Sequence, residues 1–176
     1  MILGSRSYVN GRHSTQRGEA MSKERMLKAH DLFQSLTPDE VDRVNRFSSV
    51  RKCQPGDVIF RTGDTATHLF IVVEGLVNLL LPSTAQEIGL VMTRAEQGDL
   101  FGLSSLLGST TYTLSAQCSR QTEILSVEAK PLRDLLLANP LVGFDVMTSV
   151  SRTYFHRYIE LSQRLQGIVS QLPLIP

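Results

Sequence analysis

The chain has no tryptophan, only two cysteines, four histidines and almost no net charge, and each scarcity excludes something. Eighteen basic residues stand against seventeen acidic ones, so there is no global basic field of the kind that holds nucleic acid. Cys53 and Cys118 lie far apart; no spacing suggests zinc, and no framework suggests a secreted, disulfide-bonded scaffold. Both fall in strand-like segments and read as small buried apolar side chains. His13, His30, His68 and His156 are dispersed, and only His68 lies in the strand-rich region, whereas a metalloenzyme on a small barrel gathers several histidines and a carboxylate around its ion. With no Ser-His-Asp or paired-carboxylate constellation either, the expectation is a protein without metal, cofactor or catalytic activity. Apolar runs stay well short of the ~20 residues of a membrane span. Residues 1–20 carry no apolar core of a signal peptide. A cytoplasmic protein with reduced thiols is expected.

What is present is enough for a core: 41% apolar residues in 176, the size of one domain with attached helices. Residues 1–21, rich in Gly, Ser, Arg and Asn without periodicity, read as a disordered N-terminal arm. Residues 1–25 hold five basic and two acidic side chains, the pattern of a solvated tail. Met21 is a candidate start. The N-terminal helices occupy 22–46. Met26, Ala29 and Phe33 share one helical face. Thr37, Pro38 and Glu40 form a capping box with proline in the first turn, placing Val41 and Val44 inward and ending that helix near Arg46.

From 47 to 129 the signals are those of strands. Pro55-Gly56-Asp57, Gly63-Asp64, Glu74-Gly75 and Gln97-Gly98-Asp99 are turns, and Asp57, Asp64 and Glu74 are read as turn chemistry. Between them lie β-rich segments at 58–60, 68–73, 76–81, 88–93, 100–102, 113–118 and 123–127. Short strands at near-even spacing argue for a closed antiparallel β-roll, and the fold class is α+β.

Helix returns at Pro131 with the stripe Leu132, Leu135 and Leu136. Asn139-Pro140 ends it and starts the last helix, which reaches about Gln171 and would be roughly 45 Å long. Residues 130–176 thus read as a hinge and a long dimerisation helix. Phe144, Met147, Val150, Tyr154, Tyr158, Leu161, Leu165, Ile168 and Leu172 recur at spacings of three and four. Such a stripe either covers its own domain or meets another helix. Its length beyond one small roll favours a homodimer seam of Met147, Val150, Tyr154, Tyr158, Leu161 and Leu165.

Helices, an eight-strand roll, then a short and a long helix resemble the cyclic-nucleotide-binding domain family, of the catabolite activator and protein kinase A regulatory subunit type. The likeness covers about residues 30–170. It is carried by the glycine turns above and by Gly98-Asp99-Leu100-Phe101-Gly102. The resemblance implies a ligand cassette at 101–113, with candidate contacts Phe101, Gly102, Leu103, Ser104, Ser105, Tyr112 and Thr113. In that family the cassette carries a Glu for the ribose hydroxyl and an Arg for the cyclic phosphate; Leu103 and Tyr112 stand in their places. Thr113 matches the small or hydroxyl position. The resemblance also implies that the long helix caps the ligand, near Arg157 or Tyr158; otherwise Tyr158 joins the seam and Arg157 meets solvent.

A cyclic phosphate moved into a partly dry pocket needs replacement donors, and the arginine fork supplies two at fixed charge. Tyr112 offers one neutral hydroxyl and Leu103 none. Ser104 and Ser105 either donate to an oxygen or cap the turn. The expected function is therefore a regulatory module that binds cyclic AMP or cyclic GMP poorly and acts through another ligand or an unidentified protein partner. Two alternatives are a true cyclic-nucleotide sensor and the sensor part of a transcription regulator. The latter needs a helix-turn-helix after the long helix, and only Leu172-Pro173-Leu174-Ile175-Pro176 follows Gln171. This ending reads as a natural stop, and sequence-specific DNA binding by the chain alone is not expected.

Overall fold

The computed structural model describes residues 23–28, 30–82 and 89–170. The arm expected over 1–21 and the stripe residue Leu172 lie outside that range, as does the side chain of Ile168. Helix α1 covers residues 23–28, and a 3-10 turn follows at Asp31–Phe33. Helix α2, Pro38–Arg46, carries the expected capping box: Thr37 Oγ1 accepts from the Glu40 amide at 3.4 Å, and the Glu40 carboxylate accepts from the Thr37 amide at 2.9 Å. Val41 and Val44 are buried.

Eight strands follow: β1 Ser48–Cys53, β2 Val58–Phe60, β3 His68–Glu74, β4 Val77–Leu80, β5 Val91–Ala95, β6 Leu100–Phe101, β7 Ser115–Cys118 and β8 Thr122–Glu128. They form two antiparallel four-stranded sheets, in the orders β1-β8-β3-β6 and β2-β7-β4-β5. The α+β class and the eight-strand roll expected from the sequence are therefore present. One strand is displaced: the segment expected at 88–93 is β5 at Val91–Ala95. Its register is set by Ala95 facing Val77 and Thr93 facing Leu79, which turns Thr93 and Ala95 inward.

The glycine-aspartate turns repeat one device. The carboxylates of Asp57, Asp64 and Asp99 each accept from the backbone amide three residues earlier, all at 2.8 Å. In each case the glycine just before the acid has positive φ. These carboxylates are occupied by their own turns.

Strand β3 separates two cores. Leu69 and Ile71 face the helices, packing with Leu27, Phe33, Val44, Leu132 and Val146. Phe70 and Val72 face the roll interior, with Phe60, Leu79, Phe101 and Ile124. Burial on both faces accounts for the continuous apolar run in that strand. Cys53 and Cys118 are free and buried in the interior cluster. Burial, reinforced by the nearby Cys53, pushes the Cys118 thiol up to about 11, so it stays protonated and acts as an apolar filler.

Helix α3, Ala129–Ala138, starts two residues before Pro131, which sits harmlessly in the first turn. Leu132, Leu135 and Leu136 are buried as expected. After Asn139, helix α4 runs Pro140–Val169. Its Val142, Val146 and Val150 are buried against the domain's own core. Val150, at 1% exposure, is therefore no seam residue, and Met147 packs against the same cluster. The cause is geometric: positions 142, 146 and 150 fall on the face turned to Phe33 and α3. Tyr158 and Leu165 of the expected seam are exposed, as are Phe144, Phe155 and Ile159. The outward apolar face of α4 thus runs Phe144, Phe155 and Ile159 rather than along Met147 and Val150, with Tyr158 at its edge.

Candidate functional site

The cassette begins where β6 ends. Gly102 has φ +69°, and a Cβ there would lie 2.8 Å from the Phe70 ring and 3.3 Å from the His68 carbonyl. The glycine thus serves close packing of the cassette on β3 as well as the turn. A single 3-10 turn follows, Leu103–Ser105. Ser105 is buried and spends its hydroxyl on the Gly102 carbonyl at 3.0 Å, closing the turn. The Ser104 carbonyl accepts from the Ser109 amide at 3.1 Å.

Phe101 is fully buried in the roll interior and stacks near Phe70 and Phe60. Leu103 is 2% exposed and belongs to the core shared with the helices. Tyr112 is 4% exposed. Its ring stacks on Phe60 at 3.8 Å between centroids and 15° between planes. Its hydroxyl donates to the His68 carbonyl at 2.7 Å and accepts from the His68 amide at 3.1 Å. The expectation that Tyr112 offers a hydroxyl to a ligand is therefore corrected: a phenol has one proton to give, and that proton is committed to β3. Burial also holds its pKa above the usual phenol value. Thr113, by contrast, is exposed at the rim.

Between the cassette, the second sheet and α4 lies a cavity of about 440 Å³, within the ~300–1,000 Å³ range of small-molecule sites. Phe60 of β2, Leu79 of β4, Met92 and Thr93 of β5, and Leu103, Tyr112 and Leu114 form its floor. Tyr154, Arg157, Tyr158, Glu160 and Leu161 of α4 form its roof. The structure thus brings the cassette candidates Gly102, Leu103, Ser104, Tyr112 and Thr113 to one cavity, together with Arg157 and Tyr158. It also brings Tyr154 and Leu161 there, which the stripe had assigned to a seam.

Arg157 is not in solvent. Its guanidinium donates to the Leu100 carbonyl at the start of the cassette. Burial lowers its pKa, with Asp99 acting in the opposite sense, and an arginine remains cationic throughout. Seven residues further on, Arg164 Nη1 donates to the Met92 carbonyl at 2.9 Å. Arg164 carries a sequence signal that the apolar stripe hides: Val150, Arg157 and Arg164 follow at intervals of seven on one helical face. The floor residues Phe60, Leu79, Met92 and Thr93 carry no comparable signal, since inward-facing strand residues look like ordinary core.

Among the described residues, no three His, Cys, Asp or Glu side chains converge on one point. No described helix is long and apolar enough to cross a membrane.

Comparison with known proteins places this geometry. The chain is 30% identical over 136 residues to the cyclic AMP receptor protein of Thermus thermophilus, a match covering 77% of this chain and 62% of that protein. It spans less than two thirds of the length of the curated relatives it matches. Its fold matches the sensor domain of the transcriptional regulator DNR from Pseudomonas aeruginosa, with a TM-score of 0.66 at 16% identity, covering 89% of this chain and 97% of that one. It also matches the regulatory subunit of a cAMP-independent protein kinase A from Trypanosoma brucei, with a TM-score of 0.65 at 18% identity, over 84% of this chain and 53% of that one. The model of the cyclic nucleotide-binding domain matches residues 50–139, from β1 through the cassette to the end of α3. With just over half of its length matched in this way, the chain belongs to the cyclic nucleotide-binding domain family.

Proposed function

We propose that the chain is a non-enzymatic cytoplasmic regulatory module of this family that holds cyclic AMP and cyclic GMP weakly or not at all. The observation that carries this reading is the state of the two cassette positions. The Tyr112 hydroxyl is committed to the His68 backbone, and Leu103 is buried in the core. Neither a guanidinium nor a carboxylate is left there for a sugar-phosphate ring. Each missing charge-assisted hydrogen bond is worth about 1.5–3 kcal/mol, so their joint loss weakens binding by about 10²–10⁴-fold.

The module acts by coupling occupancy of the cavity to the position of α4. Such coupling requires a ligand that binds one helix position better than another. The outward face of α4, with Phe144, Phe155, Tyr158 and Ile159 exposed, supports a homodimer or a protein partner as the recipient of that change. Calorimetric titration with cyclic AMP and with cyclic GMP tests the reading. The expected result is no saturable heat at micromolar ligand; a micromolar or tighter isotherm from either nucleotide would overturn it.

A second reading is favoured by one observation. The matched segment is 62% of a cyclic AMP receptor protein, so the chain also suits the sensor portion of a longer regulator. Sequencing the gene beyond the codon for Pro176 decides between them. A downstream helix-turn-helix in frame makes this the sensor of a transcription factor.

A further inference from the structure

The cavity beneath α4 has a chemistry of its own. We infer that it is a site for a small apolar monocarboxylate, seated on Phe60, Leu79 and Met92 with its acid group on Arg157. The inference rests on the reading that the cassette does not serve a cyclic nucleotide, and it names the ligand class that takes its place.

Three observations carry it. The lining is largely apolar: beside the buried Phe60, Leu79 and Tyr112, the half-buried Met92, Leu114 and Leu161 and the exposed Leu81 still present apolar surface to the cavity. Apolar surface of that kind is paired with water unless a ligand covers it. Among the described residues, Arg157 is the cation that lines the cavity, and it makes no ion pair within 4 Å. One of its nitrogens serves the Leu100 carbonyl, and a guanidinium has five N–H donors. Donors therefore remain for a carboxylate, in the fork geometry that suits it. Finally, Glu160 also lines the cavity. Its carboxylate opposes any anion there, and opposes a phosphate dianion about twice as strongly as a monocarboxylate.

The geometry also accounts for how such a ligand would be felt. Arg157 ties α4 to the first residue of β6. A carboxylate that draws the guanidinium toward the cavity competes with that tie, and among the described residues the outer face of α4 is unpartnered.

Decanoate and decan-1-ol are the probes, titrated calorimetrically into the full chain and into Arg157→Gln and Thr113→Trp. The expected result is one decanoate site with a micromolar dissociation constant. Decanol, which fills the same floor without the charge, binds about tenfold or more weaker. Arg157→Gln removes that advantage and leaves decanol unchanged. Thr113→Trp, at the exposed rim, blocks both. Absence of decanoate binding at about 1 mM, equal affinity for acid and alcohol, or an acid affinity unmoved by Arg157→Gln each overturns the inference. If Arg157→Gln does not fold, the acid-to-alcohol ratio in the unaltered chain decides alone. A parallel cyclic AMP titration separates the two levels. Tight cyclic AMP binding overturns the reading beneath the inference, whereas silence toward both cyclic AMP and decanoate overturns the inference and leaves that reading standing.

Discussion

The two halves of helix α4 are one continuous element held in two different ways. From Pro140 to Val150 it is packed: Val142, Val146 and Val150 are 6%, 0% and 1% exposed in the core shared with α3 and the first sheet. From Tyr154 onward the described side chains stay at least partly exposed. The helix is tethered there instead, by Arg157 to the Leu100 carbonyl and by Arg164 to the Met92 carbonyl. Apolar packing is dense and resists displacement. A charge-assisted hydrogen bond across a half-wet cavity contributes at most about 1.5–3 kcal/mol and exchanges readily for water or ligand. The difference teaches where a signal can enter. If the proposed coupling holds, the tethered half is the part a ligand would shift.

The sharpest break of this contrast is a charge on each half. Val146→Asp places an unpaired carboxylate in a closed core, and a loss of about 3 kcal/mol or more in urea unfolding is expected. Tyr158→Asp, on the tethered half at 64% exposure, should move the same midpoint by no more than about 0.5 kcal/mol. Equal losses would mean that the outer half is as firmly packed as the inner.

Next in size is the outward face. Phe155→Glu with Ile159→Glu should convert a dimer to a monomer in sedimentation, while the unfolding midpoint of the separated chain stays within about 0.5 kcal/mol. Met147→Ala, on the inward side, should not change the sedimentation coefficient. A dimer that survives the double charge removes α4 from the seam.

How much of this was legible in the sequence depends on the range over which each feature is determined. The Thr37–Glu40 capping box, the glycine-aspartate turns and the Asn139-Pro140 break are local, and sequence spacing fixes them. The roll was legible because its strands and turns alternate evenly. The site was less so. Whether Tyr112 faces a ligand depends on a hydrogen bond to His68, 44 residues away, and the Arg157 tether spans 57 residues. Spacing within one segment carries no trace of either. The apolar stripe of α4 misled for another reason. Two apolar faces overlap on it, and steps of three and four lead from one to the other. Val150 and Tyr158 satisfy one pattern, yet eight residues turn the side chain by about 80°, and one is buried while the other is exposed.

A smaller effect sharpens the contrast from the opposite side of the cassette. His30 Nδ1 accepts from the Leu32 amide at 3.0 Å, and Nε2 donates to the Gly98 carbonyl at 2.8 Å. This arrangement fits the neutral ring and holds the turn that leads into Leu100, the residue to which Arg157 is tied. Burial lowers the His30 pKa, with the Gly98 carbonyl, Asp31 and Asp99 opposing. The unfolded chain therefore takes up the proton more readily. The His30 contribution to stability is complete above the unfolded pKa of about 6.5 and is lost as pH falls through the lower folded value. Urea midpoints should fall between about pH 7.5 and about pH 5, and His30→Gln should flatten that slope. A slope unchanged in His30→Gln would assign the acid sensitivity elsewhere.

The smallest expected effect is the most specific. Arg164→Gln removes an exposed tether, and its cost to global stability should be about 0.5 kcal/mol or less. Yet if the outer half of α4 is held by such tethers, amide exchange there should accelerate while exchange from Val142 to Val150 stays as it was. Global stability reports the packed half, because unfolding must break it. Local exchange reports the tethered half, because that half can open without the rest. A variant that speeds exchange along the whole helix would show the two halves to be a single cooperative unit, and the tether at Arg157 could then not move alone.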